Sequence, residues 1–221
     1  ALGVVAVVAG VAGFWLLGSF PRGAAFAAVI FLAVLAWYLS LEPQQDADWQ
    51  PDVAELPRTE LDNDLLTIHN VRNFDYRSET DFTPRWETRT FDLSKIEGAD
   101  MFFSHWSGPE IAHTILSWSF SDGQHLAISI ETRKVVGQEY SAIAGFFRQY
   151  PIYYVVADER DVVRLRTNFR GENVWMYRLK PARPDAARAL LLDYVASIDA
   201  LAERPAWYNA LTDNCTTTIQ R

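Results

Sequence analysis

The sequence predicts an α+β domain carried behind a pair of membrane helices, and three observations lead there. Arg22 is the one charged side chain in residues 1–41, whereas the rest of the 221-residue chain is rich in charge and brings the net to −8. Strand-like and helix-like patterns then follow in an irregular order, which points to a meandering sheet with helices gathered at one side. Thirty aromatic residues, eight of them Trp, supply enough large apolar surface for a core without covalent staples. With 49% hydrophobic and 22% charged residues the chain is neither disordered nor collagenous. Its single cysteine excludes an internal disulfide.

Residues 2–20 and 24–41 are two uncharged apolar runs, each nearly long enough, at about 1.5 Å per residue, to cross a hydrocarbon core of roughly 30 Å. Pro21-Arg22-Gly23 between them reads as a tight reversal, so the expected arrangement is an antiparallel transmembrane hairpin over 1–41. Small residues four apart, among them Ala6 and Gly10, Ala9 and Gly13, and Ala24 and Ala28, favour close helix approach in lipid. Trp37 and Tyr38 suit the interface at the end of the second run. A signal peptide is the competing reading, but no basic leader or small-residue cleavage site is visible, and a second run follows at once. Arg22 in the turn, against Glu42, Asp46 and Asp48 beyond the second run, puts the turn in the cytoplasm and the domain outside. The chain opens with Ala1 and stops six residues past its cysteine, so a longer natural protein is expected at both ends.

Residues 42–60, with Pro43, Pro51 and Pro57 among polar and acidic neighbours, read as an extended tether, and the domain is expected over 61–221. A β-rich run at 111–120, the turn Ser121-Asp122-Gly123 and an alternating run at 124–131 predict a hairpin, with His113 on one strand and Glu131 at the end of the other. Residues 152–157 and 174–179 predict two more strands. The segment 159–170 fits neither period. Apolar residues at helical spacing from Ala186 to Leu201, after Pro184, predict a helix over 185–201. Asp213 and Asn214 are good N-cap residues, which places Cys215 in the first turn of a further helix.

A thiol at a helix N-terminus meets unpaired N–H groups and the positive end of the dipole, which favour the thiolate and can stabilise an oxyanion. The alternative for Cys215 is a small buried hydrophobe. A nucleophilic cysteine needs a base and a group to orient that base. His113, aimed by a strand with Glu131 across the hairpin, is the first candidate, and His105 in "SHWSG" the second. His125 beside the turn reads as solvated. No metal-ligand spacing, phosphate loop or dinucleotide fingerprint is present, so no metal or cofactor is expected. Residues 42–132 hold 18 acidic and 6 basic side chains, whereas 148–188 hold 5 and 9. Arg148, Arg160, Arg164, Arg166 and Arg170 could therefore meet lipid phosphates, or could form a solvated, salt-bridged face. Net acidity argues against nucleic acid as a partner.

The segments "HNVRNFDYRSETDF", "IAHTILSWSF", "SIETR", "VVADERDVVRLRTNFR" and "WYNALTDNCTT" resemble those of the Lnb-type N-terminal periplasmic domain, a family named after a lipoprotein N-acyltransferase. The order His, acidic residue, Cys is also similar to the permuted papain-like superfamily of NlpC-type hydrolases and lecithin:retinol acyltransferase. These resemblances imply a permuted papain-like sheet-and-helix domain at the bacterial inner membrane, facing the periplasm. They imply Cys215 as nucleophile, His113 as base and Glu131 or a nearby polar group as orienter, with Asn214, Arg72, Tyr76, Arg160 and Arg166 as binding residues. The implied reaction moves an acyl chain from a phospholipid, through a cysteine thioester, to the amine of a lipoprotein. An envelope amidase or peptidase and a non-enzymatic scaffold are the alternatives.

Overall fold

A computed structural model of the protein describes residues 7–13, 20–106, 108, 110–141, 143–180, 183 and 185–209. The expected helix start at 213–215, with Asn214 and Cys215, lies outside the described residues. The chain divides into two compact units, Ala1–Glu42 and Pro43–Arg221.

In the first unit residues 7–13 are helical, and a long helix, α1, runs over Phe20–Leu39. With mean hydropathy 1.9 and only Gly23 buried, α1 is long and apolar enough to cross a bilayer. Pro21-Arg22-Gly23, expected as the reversal, is instead the first turn of α1. Proline is at home there, because the N–H it lacks would have no acceptor in the first turn and its fixed φ already suits a helix. A reversal between the two apolar runs, if it falls at 14–19, lies outside the described residues, so one helix of membrane length is shown. A Cβ placed on Gly13 would collide with the Phe26 ring, so the two helical stretches touch at one of the expected small residues.

The second unit is a mixed α+β domain. Its strands are β1 (Arg58–Asp62), β2 (Leu65–Arg72), β3 (Asp75–Tyr76), β4 (Phe82–Thr83), β5 (Trp86–Asp92), β6 (Ile96–His105), β7 (Ala112–Phe120), β8 (His125–Thr132), β9 (Ile152–Ala157) and β10 (Asn173–Arg178). Two helices, α2 (Glu159–Arg164) and α3 (Ala186–Glu203), complete it among the described residues. One sheet takes the order β1-β2-β9-β8-β7-β6-β10, with β5 also on β2, while β3 and β4 pair by themselves. Neighbours are antiparallel except β2 and β9, which meet in parallel at Arg72 and Ala157. The β7–β8 hairpin turns where expected: Gly123, at φ 84°, adopts the left-handed backbone the turn requires and donates its N–H to the Phe120 carbonyl.

Strand alternation sends side chains to two faces with separate cores. On one face Leu66, Leu116, Trp118, Leu126, Ile128 and Val156 pack beneath Leu191, Tyr194 and Ile198 of α3. On the other, Ile115, Ala127, Tyr153 and Val155 pack with Val53 and with Val162 of α2. The segment expected as a tether is part of this second layer, and the domain begins at Pro43. Trp49 bridges to Val135, and buried Arg133 donates to the carbonyls of Val53 (3.0 Å) and Ala54 (2.7 Å). The Tyr153 hydroxyl donates to the Glu55 carbonyl at 2.6 Å. Pro51 opens a 3-10 turn, Pro51–Val53, and the carbonyls of the stretch find donors on Arg133 and Tyr153, so bonding to the domain replaces solvation.

Candidate active site

His113 and Glu131 stand opposite each other because β7 and β8 pair Ile115 with Ser129, and two residues further along the same register brings 113 to 131. His113 Nε2 lies 2.6 Å from Ser129 Oγ and 3.0 Å from Glu131 Oε1. The Ser129 hydroxyl donates to the same carboxylate oxygen at 2.8 Å. One assignment of hydrogens satisfies all three contacts: the proton sits on His113 Nε2 and points at Ser129 and Glu131. In the neutral ring Nδ1 is then the basic nitrogen.

Arg166 closes the network. It donates from Nη2 to Glu131 Oε1 at 2.7 Å and from Nη1 to Glu172 Oε2 at 3.1 Å, and Glu172 also accepts the Ser104 hydroxyl. A planar fork can hold two carboxylates in this way, which an ammonium cannot. Arg166 is 5% exposed, and its place depends on a π-helical turn, Leu165–Phe169, that continues α2. The Arg170 N–H reaches the Leu165 carbonyl at 3.0 Å, so the turn is one residue wider than an α-turn. Burial raises the pKa of Glu131, but the charges of protonated His113 and of Arg166 outweigh it and hold the carboxyl well below the ordinary glutamate range. Glu131 is therefore a carboxylate in contact with His113 Nε2.

These groups line a cavity of about 470 Å³ whose wall also includes Val53, Trp106, Ile111, Tyr140 and Arg72. Of the residues expected at the site, His113, Glu131, Arg166 and Arg72 thus share one cleft. Arg72 is held by Asp161, Nη2 to Oδ1 at 2.9 Å, and by the Asp52 carbonyl. Burial lowers its pKa, but the Asp161 charge more than compensates and the guanidinium stays charged. Tyr76 sits off the cleft, its hydroxyl 3.4 Å from Asp161 Oδ1. Arg160 donates to Asn73 Oδ1 at 2.8 Å and lines a separate depression with Arg89 and His125. His105 is the next residue after Ser104, which pairs with His113, so alternation turns His105 to the opposite face of the sheet. Ser129 and Glu172 went unread in the sequence. Ser129 carried a usable signal, since it lies two residues before Glu131 and so shares its face; Glu172 carried none.

A comparison with protein families matches residues 82–221, more than half of the chain, to the Lnb N-terminal periplasmic domain. The chain belongs to this family. The match contains His113, Glu131, Arg166, Glu172 and Cys215, whereas Arg72 and Tyr76 precede it. No curated protein and no solved structure matches the chain. An Lnb N-terminal periplasmic domain together with one membrane-length apolar helix describes a membrane-associated periplasmic protein.

Proposed function

We propose that this Lnb-family protein is a thiol acyltransferase anchored in the inner membrane by a helical hairpin, using a phospholipid as donor and an amine, such as the N-terminus of a lipoprotein, as acceptor. The observation that carries the proposal is the His113–Glu131 pair, held on rigid strands in the wall of a cleft and fixed from behind by Arg166. Such a pair is what a cysteine nucleophile requires of its base. Cys215 would lose its proton to His113 Nδ1 and attack the ester carbonyl. The ester C–O bond breaks as His113 returns the proton to the leaving lysophospholipid oxygen, leaving an acyl thioester. The amine then attacks, His113 takes its proton, and the sulfur leaves as an amide forms.

The test is intact-protein mass measurement after incubation of the reconstituted chain with phospholipid vesicles. Wild type should gain one acyl chain at Cys215, released when an amine acceptor is added, and Cys215→Ser should gain none. Turnover of an envelope peptide with no acyl adduct would replace the proposal by a papain-like hydrolase. An inert Cys215, together with a fully functional Cys215→Ser variant in cells, would leave a scaffold.

A further inference from the structure

The loop between β8 and β9 presents an apolar surface that a water-facing loop has no reason to keep. Ile143 is 73% exposed, Phe147 57%, Val136 56%, and Phe146 and Tyr140 41% each. From 140 to 147 the sequence, YSAIAGFF, holds no charge; Glu139 precedes it and Arg148 follows it. The base of the loop is nonetheless well built. Tyr150, buried, donates its hydroxyl to the Glu139 carbonyl and accepts the Ser141 N–H, both at 2.9 Å, and its ring stacks on Tyr140. An uncharged apolar crest on a pinned base is the pattern of an interfacial membrane element.

Two further observations say what covers it. The chain arriving from the apolar helix is stitched to this loop: Val136 donates to the Asp48 carbonyl at 2.8 Å, and Gln50 donates to the Lys134 carbonyl at 2.9 Å and, from its side chain, to the Gln138 carbonyl at 2.7 Å. Asp48 follows Leu39, the end of the helix, by nine residues, which bounds the connecting chain to a reach of about 30 Å. The loop also reaches the cleft, because Tyr140 lines it and meets Trp106, another lining residue, edge to face at 6.4 Å. We infer that the loop joining β8 and β9 is a membrane-docking element, with Ile143, Phe146 and Phe147 seated in the phospholipid bilayer beside the mouth of the His113 cleft. Tyr140, Trp106 and Ile111 then form an apolar path along which a lipid acyl chain reaches His113 without crossing water. The path's purpose rests on the acyl-transfer reading; the docking rests on the loop.

The test uses the full chain carrying Cys215→Ser and Ile143→Cys, labelled at position 143 with an environment-sensitive fluorophore and reconstituted in phosphatidylethanolamine–phosphatidylglycerol vesicles. The expected result is a blue-shifted emission, most of which is lost to nitroxide-bearing lipid and little to aqueous iodide. A label introduced through Asp62→Cys, at the exposed end of β1, should show the reverse. Iodide quenching at position 143 as strong as at position 62 overturns the docking. A label reached by neither quencher also overturns it, since the loop is then covered by protein, such as a second copy of the chain. The readout needs no turnover. Lipid quenching without any acyl adduct on wild-type Cys215 defeats acyl transfer alone, and an adduct with an iodide-quenched loop defeats docking alone.

Discussion

The two faces of the sheet are made by the same strands and do opposite things. Under α3, Trp118 and Leu126 pack in a closed apolar layer, with the Trp118 indole donating to the Ala187 carbonyl at 2.8 Å and its ring edge-on to Tyr194. On the other face His113, Ser129 and Glu131 hold a connected set of polar contacts against Arg166. At the cleft end, moving one residue along β8, from Ile130 to Glu131, passes from one regime to the other, while Ile115 and Ala127 keep the second face apolar further along the strands. Stability and chemistry are thus separable by substitution, because the strands are shared but the side-chain environments are not.

Removal of the base should have the largest effect. His113→Ala should reduce acyl transfer by roughly 10²- to 10⁴-fold, while thermal melting moves little, because Arg166 still pairs with Glu131. An equal loss of folding stability would show that the polar face is also the keystone of the core. The converse substitution, Trp118→Ala, should lower unfolding free energy by about 3–5 kcal/mol in denaturant titrations and leave turnover per folded molecule unchanged.

Asp161→Ala sharpens the point, since it lies on the polar side yet is fully buried against Arg72. Leaving that guanidinium without its counter-charge should cost about 3–5 kcal/mol, so the polar face is not free of structural duty where its charges are sealed from water. The smallest effect is in pH. Because the Glu131 carboxyl is held below its ordinary value, its stabilising contribution is complete above about pH 4.5 and is lost as pH falls toward the depressed folded-state value. Acid unfolding of wild type should therefore be steeper below pH 4.5 than that of Glu131→Gln. Parallel acid limbs would mean that Glu131 titrates alike in the folded and unfolded chain.

Legibility in the sequence followed the same division. The β7–β8 hairpin, β9, β10 and α3 announce themselves by period and turn residues, and the cross-strand meeting of His113 and Glu131 follows from hairpin register alone. β1 and β5 are half-exposed and charged, and β6 carries Gly98 and a register shift after Ile96, so their alternation is broken where a reader looks for it. Arg166 could be read only as one of several arginines in 148–188, because a π-turn has no apolar period to betray which way its residues point. The prolines of 43–57 suggest an extended chain, but Pro51 opens a 3-10 turn, Pro51–Val53. What they could not reveal is Arg133, whose donors lie some 80 positions away in sequence and decide that the stretch is bound.

That bound segment has a mechanical consequence. Val53 and Asp52 form part of the cleft wall, and the stretch that carries them is also the only covalent route from the apolar helix into the domain. Any drag between membrane and domain passes along it before it reaches a strand of the large sheet. The load falls first on the few hydrogen bonds that join the stretch to Lys134, Val136 and Arg133, while the β7–β8 ladder stays slack. A pull on the N-terminus in a single-molecule trace should thus release a short length of chain at low force ahead of the main rupture, and the wall beside Glu131 would be the first part of the molecule to feel the bilayer move.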